Sequence, residues 1–131
     1  MGETQQNLEI GIGDKEPKGL KPKNVTVVNV EIKSVGTKGA KIVNCSSKHP
    51  DREELIDISS VKFEGKTKFR ECGLFLNLEK KDNESDPDKI QKGSPLAILL
   101  NFVNAKTIAE LKNKELITVE DENGFLCFKA Y

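Results

Sequence analysis

At 131 residues, 36% apolar and 32% charged, the chain is long enough to bury a core, yet polar enough that part of it is expected outside the fold. Its 21 Lys and Arg residues balance its 21 Asp and Glu residues, which argues against a surface coated with positive charge for duplex DNA. Cys45, Cys72 and Cys127 are odd in number and far apart, which argues against a disulfide framework and predicts reduced, mostly buried thiols.

The charge is unevenly spread. Residues 1–14 carry three acids and no base, residues 15–70 carry 13 bases against 7 acids, and residues 71–131 carry 8 bases against 11 acids. A basic middle between acidic ends fits ordinary scatter or a face for a polyanion. The opening Met-Gly-Glu-Thr-Gln-Gln has no apolar core region, so no secretory signal is expected, and Gln6 stands where a myristoylation motif wants Ser or Thr. The longest apolar run, Leu96–Leu100, is too short for a membrane span, which makes a cytoplasmic protein the expectation. The sequons at Asn24, Asn44 and Asn83 then read as chance matches.

Residues 1–23 predict a disordered N-terminal tail: Gly11, Gly13, Pro17, Gly19 and Pro22 recur and no apolar periodicity survives. A single domain is expected over residues 24–131. Along Val25–Lys33, Thr26, Val28, Val30 and Ile32 share one face, the alternation of a β-strand. Gly36-Thr37-Lys38-Gly39 predicts a turn, and Ala40–Ser46 a returning strand. After the break at His49-Pro50-Asp51, Leu55–Phe63 resumes as a strand whose parity switches at Ser59-Ser60, the mark of a bulge. Glu64-Gly65-Lys66 turns again. Phe69–Leu78 predicts a fourth strand, with Cys72, Leu74, Leu76 and Leu78 on one face and Glu71, Phe75 and Asn77 on the other.

Glu79–Gly93 is a polar run, expected as an exposed loop. Ser94 is a favourable N-cap and Pro95 suits the first helical position, where its missing N–H costs nothing. Leu96, Leu99, Leu100 and Val103 follow as a core-facing stripe, and Asn104 is the expected stop. Thr107 and Glu110 have capping-box spacing for a short helix over Ile108–Lys112. Leu116–Glu120 and Phe125–Tyr131 predict strands joined at Asn123-Gly124, two residues that tolerate positive φ. The resulting β-β-β-β-α-β-β order is mostly β with one helical insert, an α+β sheet or a small barrel.

The segment Lys106–Val119 followed by Phe125–Tyr131 is similar to the end of small OB-fold proteins from phage and archaeal replication modules, with Asn113 where that pattern has Gly. The resemblance covers the C-terminal segment alone. It implies a small OB-like barrel rather than an activity, and it carries no binding residue over.

The chain contains no nucleophile-elbow, papain-like or His-Glu-x-x-His motif, and His49 is its only histidine, so no enzyme is expected. Gly11-Ile12-Gly13 lacks the Gly-Lys-Ser/Thr of a phosphate loop. Cys45, His49, Cys72 and Cys127 would form a zinc site only if their strands converged, and no close Cys-x-x-Cys pair is present. Asp82–Asp88 lacks EF-hand spacing. No cofactor is called for. A winged-helix reading of the C-terminal block is disfavoured because Ile108–Lys112 is too short for a recognition helix.

Single-strand binders need aromatic stacking platforms beside Lys and Arg. Phe69 and Arg70 are adjacent, Phe75 faces away from the leucine stripe, and Lys129 alternates with Tyr131 on the last strand. Together with Lys41, these are the candidate nucleic-acid-binding residues. The leading expectation is a non-enzymatic module for single-stranded DNA or RNA with no membrane association. The alternative is a protein-interaction or accessory module whose aromatics are core or interface.

Overall fold

The computed structural model describes Leu8, Glu9, Gly11 and residues 20–131. The tail expected over residues 1–23 therefore lies largely outside the described residues. The described residues are mostly β, 40% strand and 10% helix, with one α-helix set against a curled, half-barrel sheet.

Strands β1 (Val25–Val35) and β2 (Ala40–Lys48) form the expected antiparallel hairpin. Gly36 and Gly39 turn it with φ of 68° and 77°, a backbone region open to glycine. The faces of β1 differ from the simple alternation. Val25 and Val27 are buried, whereas Thr26 and Val28 are exposed. The register shifts between Val27 and Asn29, so Val28 is an extra residue without a partner on β2. Such a bulge reverses the parity of everything beyond it, and Val30 then turns inward onto the core.

The strand expected over Leu55–Phe63 is broken at Ser59 rather than merely bulged. Strand β3 (Ile56–Ile58) pairs with β2, while β4 (Ser60–Glu64) belongs to a second sheet. The break lets Ile58 and Val61, which differ in parity, both reach the core. The Ser59 hydroxyl donates to Asn44 Oδ1 at 2.8 Å and ties the corner to β2. Strand β5 (Phe69–Gly73) is shorter than the predicted Phe69–Leu78 because its neighbour changes. Up to Gly73 it pairs with β4. Beyond that point Leu74 accepts from Val43 N–H at 2.9 Å, and Leu76 N–H donates to Lys41 at 2.8 Å, so the same extended segment continues along β2. The polar loop that follows is exposed for most of its length but closed at its base, where Glu79 N–H donates to Lys89 at 2.7 Å and Gln91 N–H to Asn77 at 2.8 Å.

Helix α1 (Pro95–Phe102) starts as its sequence dictates, with Ser94 Oγ accepting from Ala97 N–H at 3.3 Å. Leu96, Leu99 and Leu100 are buried, and the helix packs against β4. Asn104, at φ 57°, turns the chain just after it. The second helix is a single 3-10 turn over Ile108–Leu111. Thr107 does not cap it: its hydroxyl meets the Glu110 carboxylate at 3.4 Å instead of a backbone N–H.

The predicted strand Leu116–Glu120 also breaks, at Ile117. Strand β6 (Glu115–Leu116) pairs with β1, and β7 (Thr118–Glu120) pairs with β8 (Leu126–Ala130). Gly124 alone takes positive φ in the connecting turn, at 83°. Asp121 organises it, its carboxylate accepting from the N–H groups of Asn123 and Phe125, each at 2.8 Å. The two sheets run β3-β2-β1-β6 and β5-β4-β8-β7, with β4 and β8 parallel. Their shared core contains Val27, Val43, Ile58, Leu74, Leu99 and Phe128. No helix among the described residues is long and apolar enough to cross a membrane.

Candidate functional site

Register in the second sheet determines which side chains meet. Across β8, β4 and β5, Lys129 lies opposite Lys62 and Lys62 opposite Glu71. Glu64 lies opposite Phe69 one step further along, and Tyr131 follows Ala130, the partner of Phe63. Side chains alternate along a strand, so Lys62, Glu64, Phe69, Glu71, Lys129 and Tyr131 share the face turned away from Val61, Phe128 and Ala130.

On that face Phe69 and Tyr131 form a tilted ring pair, with centroids 4.4 Å apart and planes at 50°. Neither ring is spent on the core: Phe69 is 50% and Tyr131 39% exposed. The Lys129 ammonium sits 4.8 Å from the centroid of the Tyr131 ring, a cation–π contact that holds the phenol in position. Further along β5, Gly73 creates a seat for another ring. A Cβ at Gly73 would lie 2.8 Å from Phe75 Cε2, so the Phe75 ring rests against this glycine while remaining 40% exposed. From Phe69 to Gly73 the strand advances about 13 Å at ~3.3 Å per residue. Two aromatic platforms thus stand at either end of a strip, with Lys62, Lys129 and Glu71 between them.

Two of the sequence-derived candidates stand apart from this strip. Arg70 neighbours Phe69 in the chain and therefore projects from the opposite face of β5. Its Cδ and Nε come within 3.3 and 3.2 Å of the Cβ position at Gly65, so it folds over the β4–β5 turn. Lys41 lies next to Ile42, the residue bridged to Phe75, and so faces away from that ring. Phe125 is 70% exposed at the tip of the last hairpin.

Glu71 and Gly73 carry no signal in the sequence that marks them for this strip. Partial desolvation raises the Glu71 carboxyl above its ordinary value, and the charge of Asp121 and a hydrogen bond to it push the same way, against the pull of Lys62. The strip thus has an acidic flank. Cys127 lies on the same face, two residues before Lys129, but is fully buried, with its thiol pushed up to about 12 by burial first and then by the Glu71 and Asp121 charges. Burial alone pushes the Cys45 thiol up to about 12. Neither thiol is poised as a nucleophile.

His49 is buried and structural. Its Nδ1 accepts from Asp51 N–H at 3.0 Å, which leaves Nε2 to donate to the Lys21 carbonyl at 2.8 Å. Two residues on, the Thr118 hydroxyl donates to the Lys23 carbonyl at 2.6 Å, so residues 21–23 are fastened at both ends. Among the described residues no group of three or more His, Cys, Asp or Glu side chains is arranged to hold a metal. Compared with known proteins, the chain matches no family model, no curated protein and no solved structure.

Proposed function

We propose that this chain is a non-enzymatic binding module for single-stranded DNA or RNA, built as an OB-like barrel and working in the cytoplasm. The barrel reading rests on strand pairing. If the segments on either side of Ser59 are one bent strand, and those on either side of Ile117 another, the neighbours run β1, β2, β3–β4, β8, β7–β6 and back to β1. That is five strands with a parallel pair and with α1 between the third and fourth in chain order; β5 is an extra strand on the edge of β4. OB barrels carry ligands on an open strand face and on flanking loops.

The observation that carries the binding reading is the exposed Phe69–Tyr131 ring pair with the Lys129 ammonium over Tyr131. A base stacks on such rings whatever its sequence, and cations beside them take the phosphates. Lys66 and Lys68, exposed in the β4–β5 turn, extend the positive charge at this end of the strip. The direct test is fluorescence anisotropy of labelled single-stranded oligonucleotides at low ionic strength. Binding is expected to weaken as salt rises. Tyr131→Ala is expected to cost about 1–3 kcal/mol, roughly fivefold to a hundredfold in affinity. Failure of both DNA and RNA to bind at low salt overturns the reading.

A protein partner is the second reading. Zero net charge and the carboxylates of Glu71, Asp121 and Glu122 along the strip favour it, since they oppose a phosphate backbone.

A further inference from the structure

Away from the aromatic strip, the loop after β5 and the helical segment border a solvent-open cavity of about 770 Å³ that shares no lining residue with the strip. Ile32, Leu76, Leu78, Ile90, Leu100 and Ile108 form its apolar walls. Ile32 is 49% and Leu78 39% exposed, so part of this surface faces water. Covering apolar area of this kind is favourable at about 25 cal/mol per Å².

The charged residues around these walls are three lysines and two carboxylates. Lys89, Lys92 and Lys106 line the cavity. Among the described residues, none of the three has a carboxylate within ion-pair distance. Of the two acids in the lining, Asp88 is ion-paired with Lys81 at 2.7 Å, so Glu79 is the one lining carboxylate without an ion pair among the described residues, against three unpaired lysines. Asn101 and Thr107 add neutral hydrogen-bonding groups. Ligand cavities of about 300–1,000 Å³ with mostly apolar walls and a few convergent polar groups suit a single small molecule.

We infer that this cavity binds a small apolar molecule carrying one anionic group, with the apolar body against Leu76, Leu78 and Ile108 and the anion at Lys89, Lys92 and Lys106. A cationic ligand would meet three like charges there, and a neutral one would leave them without a counterion. The site is independent of the oligonucleotide reading.

The test uses the full chain and anilinonaphthalene sulfonate, an apolar anionic fluorophore. Saturable one-to-one binding is expected, displaced by dodecanoate but not by dodecyltrimethylammonium. Ala109→Trp fills the cavity from an exposed wall position and Leu78→Asp charges its wall. Each is expected to weaken binding by at least about tenfold, with circular dichroism and melting temperature unchanged. That control matters because the dye also lights up loosely packed states. Lys92→Glu combined with Lys106→Glu is expected to weaken the sulfonate while leaving neutral phenylnaphthylamine bound as before. Tyr131→Ala is expected to change neither dye. No saturable binding, equal displacement by the cationic amphiphile, or unchanged binding in both Ala109→Trp and Leu78→Asp overturns the inference.

Discussion

Replacing Gly73 by Ala adds one methyl group beneath the Phe75 ring and nothing else. The new Cβ would stand 2.8 Å from Phe75 Cε2, 3.2 Å from Cδ2 and 3.3 Å from Ile42 Cδ1. Carbon atoms rest comfortably at about 3.5–4.0 Å, so the ring must retreat by nearly 1 Å or swing away. Because it is the far end of a flexible and 40% exposed side chain, it can do so at small cost. A side chain pushed off its rotamer costs about 0.5–1.5 kcal/mol. Against this, an alanine at a position that does not need positive φ narrows the unfolded ensemble, a gain of about 0.4–1 kcal/mol. Stability measured by urea unfolding is therefore expected to stay within about 1 kcal/mol of the parent. Oligonucleotide affinity is not expected to stay, since loss of one stacking platform costs about 1–3 kcal/mol. Anisotropy titrations of Gly73→Ala, Phe75→Ala and the double variant form a cycle, and the double variant should bind no more weakly than Phe75→Ala alone. If Phe75→Ala weakens binding while Gly73→Ala does not, the glycine does not seat the ring. Should neither change matter, Phe75 is no platform.

The acidic flank gives a prediction with a sign. The Glu71 carboxyl is held above its ordinary value, so the stability tied to its protonated form is present at acidic pH and lost as pH rises through the folded-state value. Glu71→Gln should therefore be more stable than the parent at neutral pH, by less than about 1 kcal/mol for so exposed a group. The gap should close as pH falls below the carboxylate range, and the variant should bind oligonucleotide more tightly at neutral pH. Denaturation curves that separate the two proteins more widely at acidic than at neutral pH would count against this. Asn44 works in the other direction: nearly buried, it donates to Asp57 at 3.2 Å and to Glu31 at 3.4 Å while accepting from Ser59. Asn44→Ala should cost about 1–3 kcal/mol. Hydrogen bonds from Asn44 and Ser46 hold the Asp57 carboxyl below its ordinary value. The cost should therefore be full above the ordinary Asp range and shrink as pH falls through the folded-state value; a penalty independent of pH would exclude Asp57 from it.

The elements legible in the sequence are those whose signals are local. Ser94 and Pro95 start a helix from within three residues, and that helix is present as read. Glycines at 36, 39 and 124 turn the chain where turns were expected. The bulge at Val28 and the breaks at Ser59 and Ile117 are different in kind. Each exists because two segments distant in sequence pair in a given register, and a run such as Thr26, Val28, Val30 and Ile32 alternates perfectly whether or not a residue is skipped. Arg70 is the instructive failure at the site. Its adjacency to Phe69 makes it a candidate in the sequence, yet adjacency within a strand means opposite faces, and period-two alternation by itself separates the two.

The breaks that periodicity did not reveal also build the site. Because the chain leaves β2 at Ser59, β4 has both edges free, one for β5 and one for a parallel β8. Had Leu55–Phe63 continued straight along β2, its far half would have spent one edge there, leaving a single edge for β5 or β8 but not both. The parallel pairing of Val61–Phe63 with Phe128–Ala130 puts Lys129 next to Lys62 and carries Tyr131 across to Phe69. The aromatic pair is thus a consequence of one corner, held by the Ser59 hydroxyl on Asn44. Loosening that corner should weaken the Phe69–Tyr131 contact although neither ring touches it.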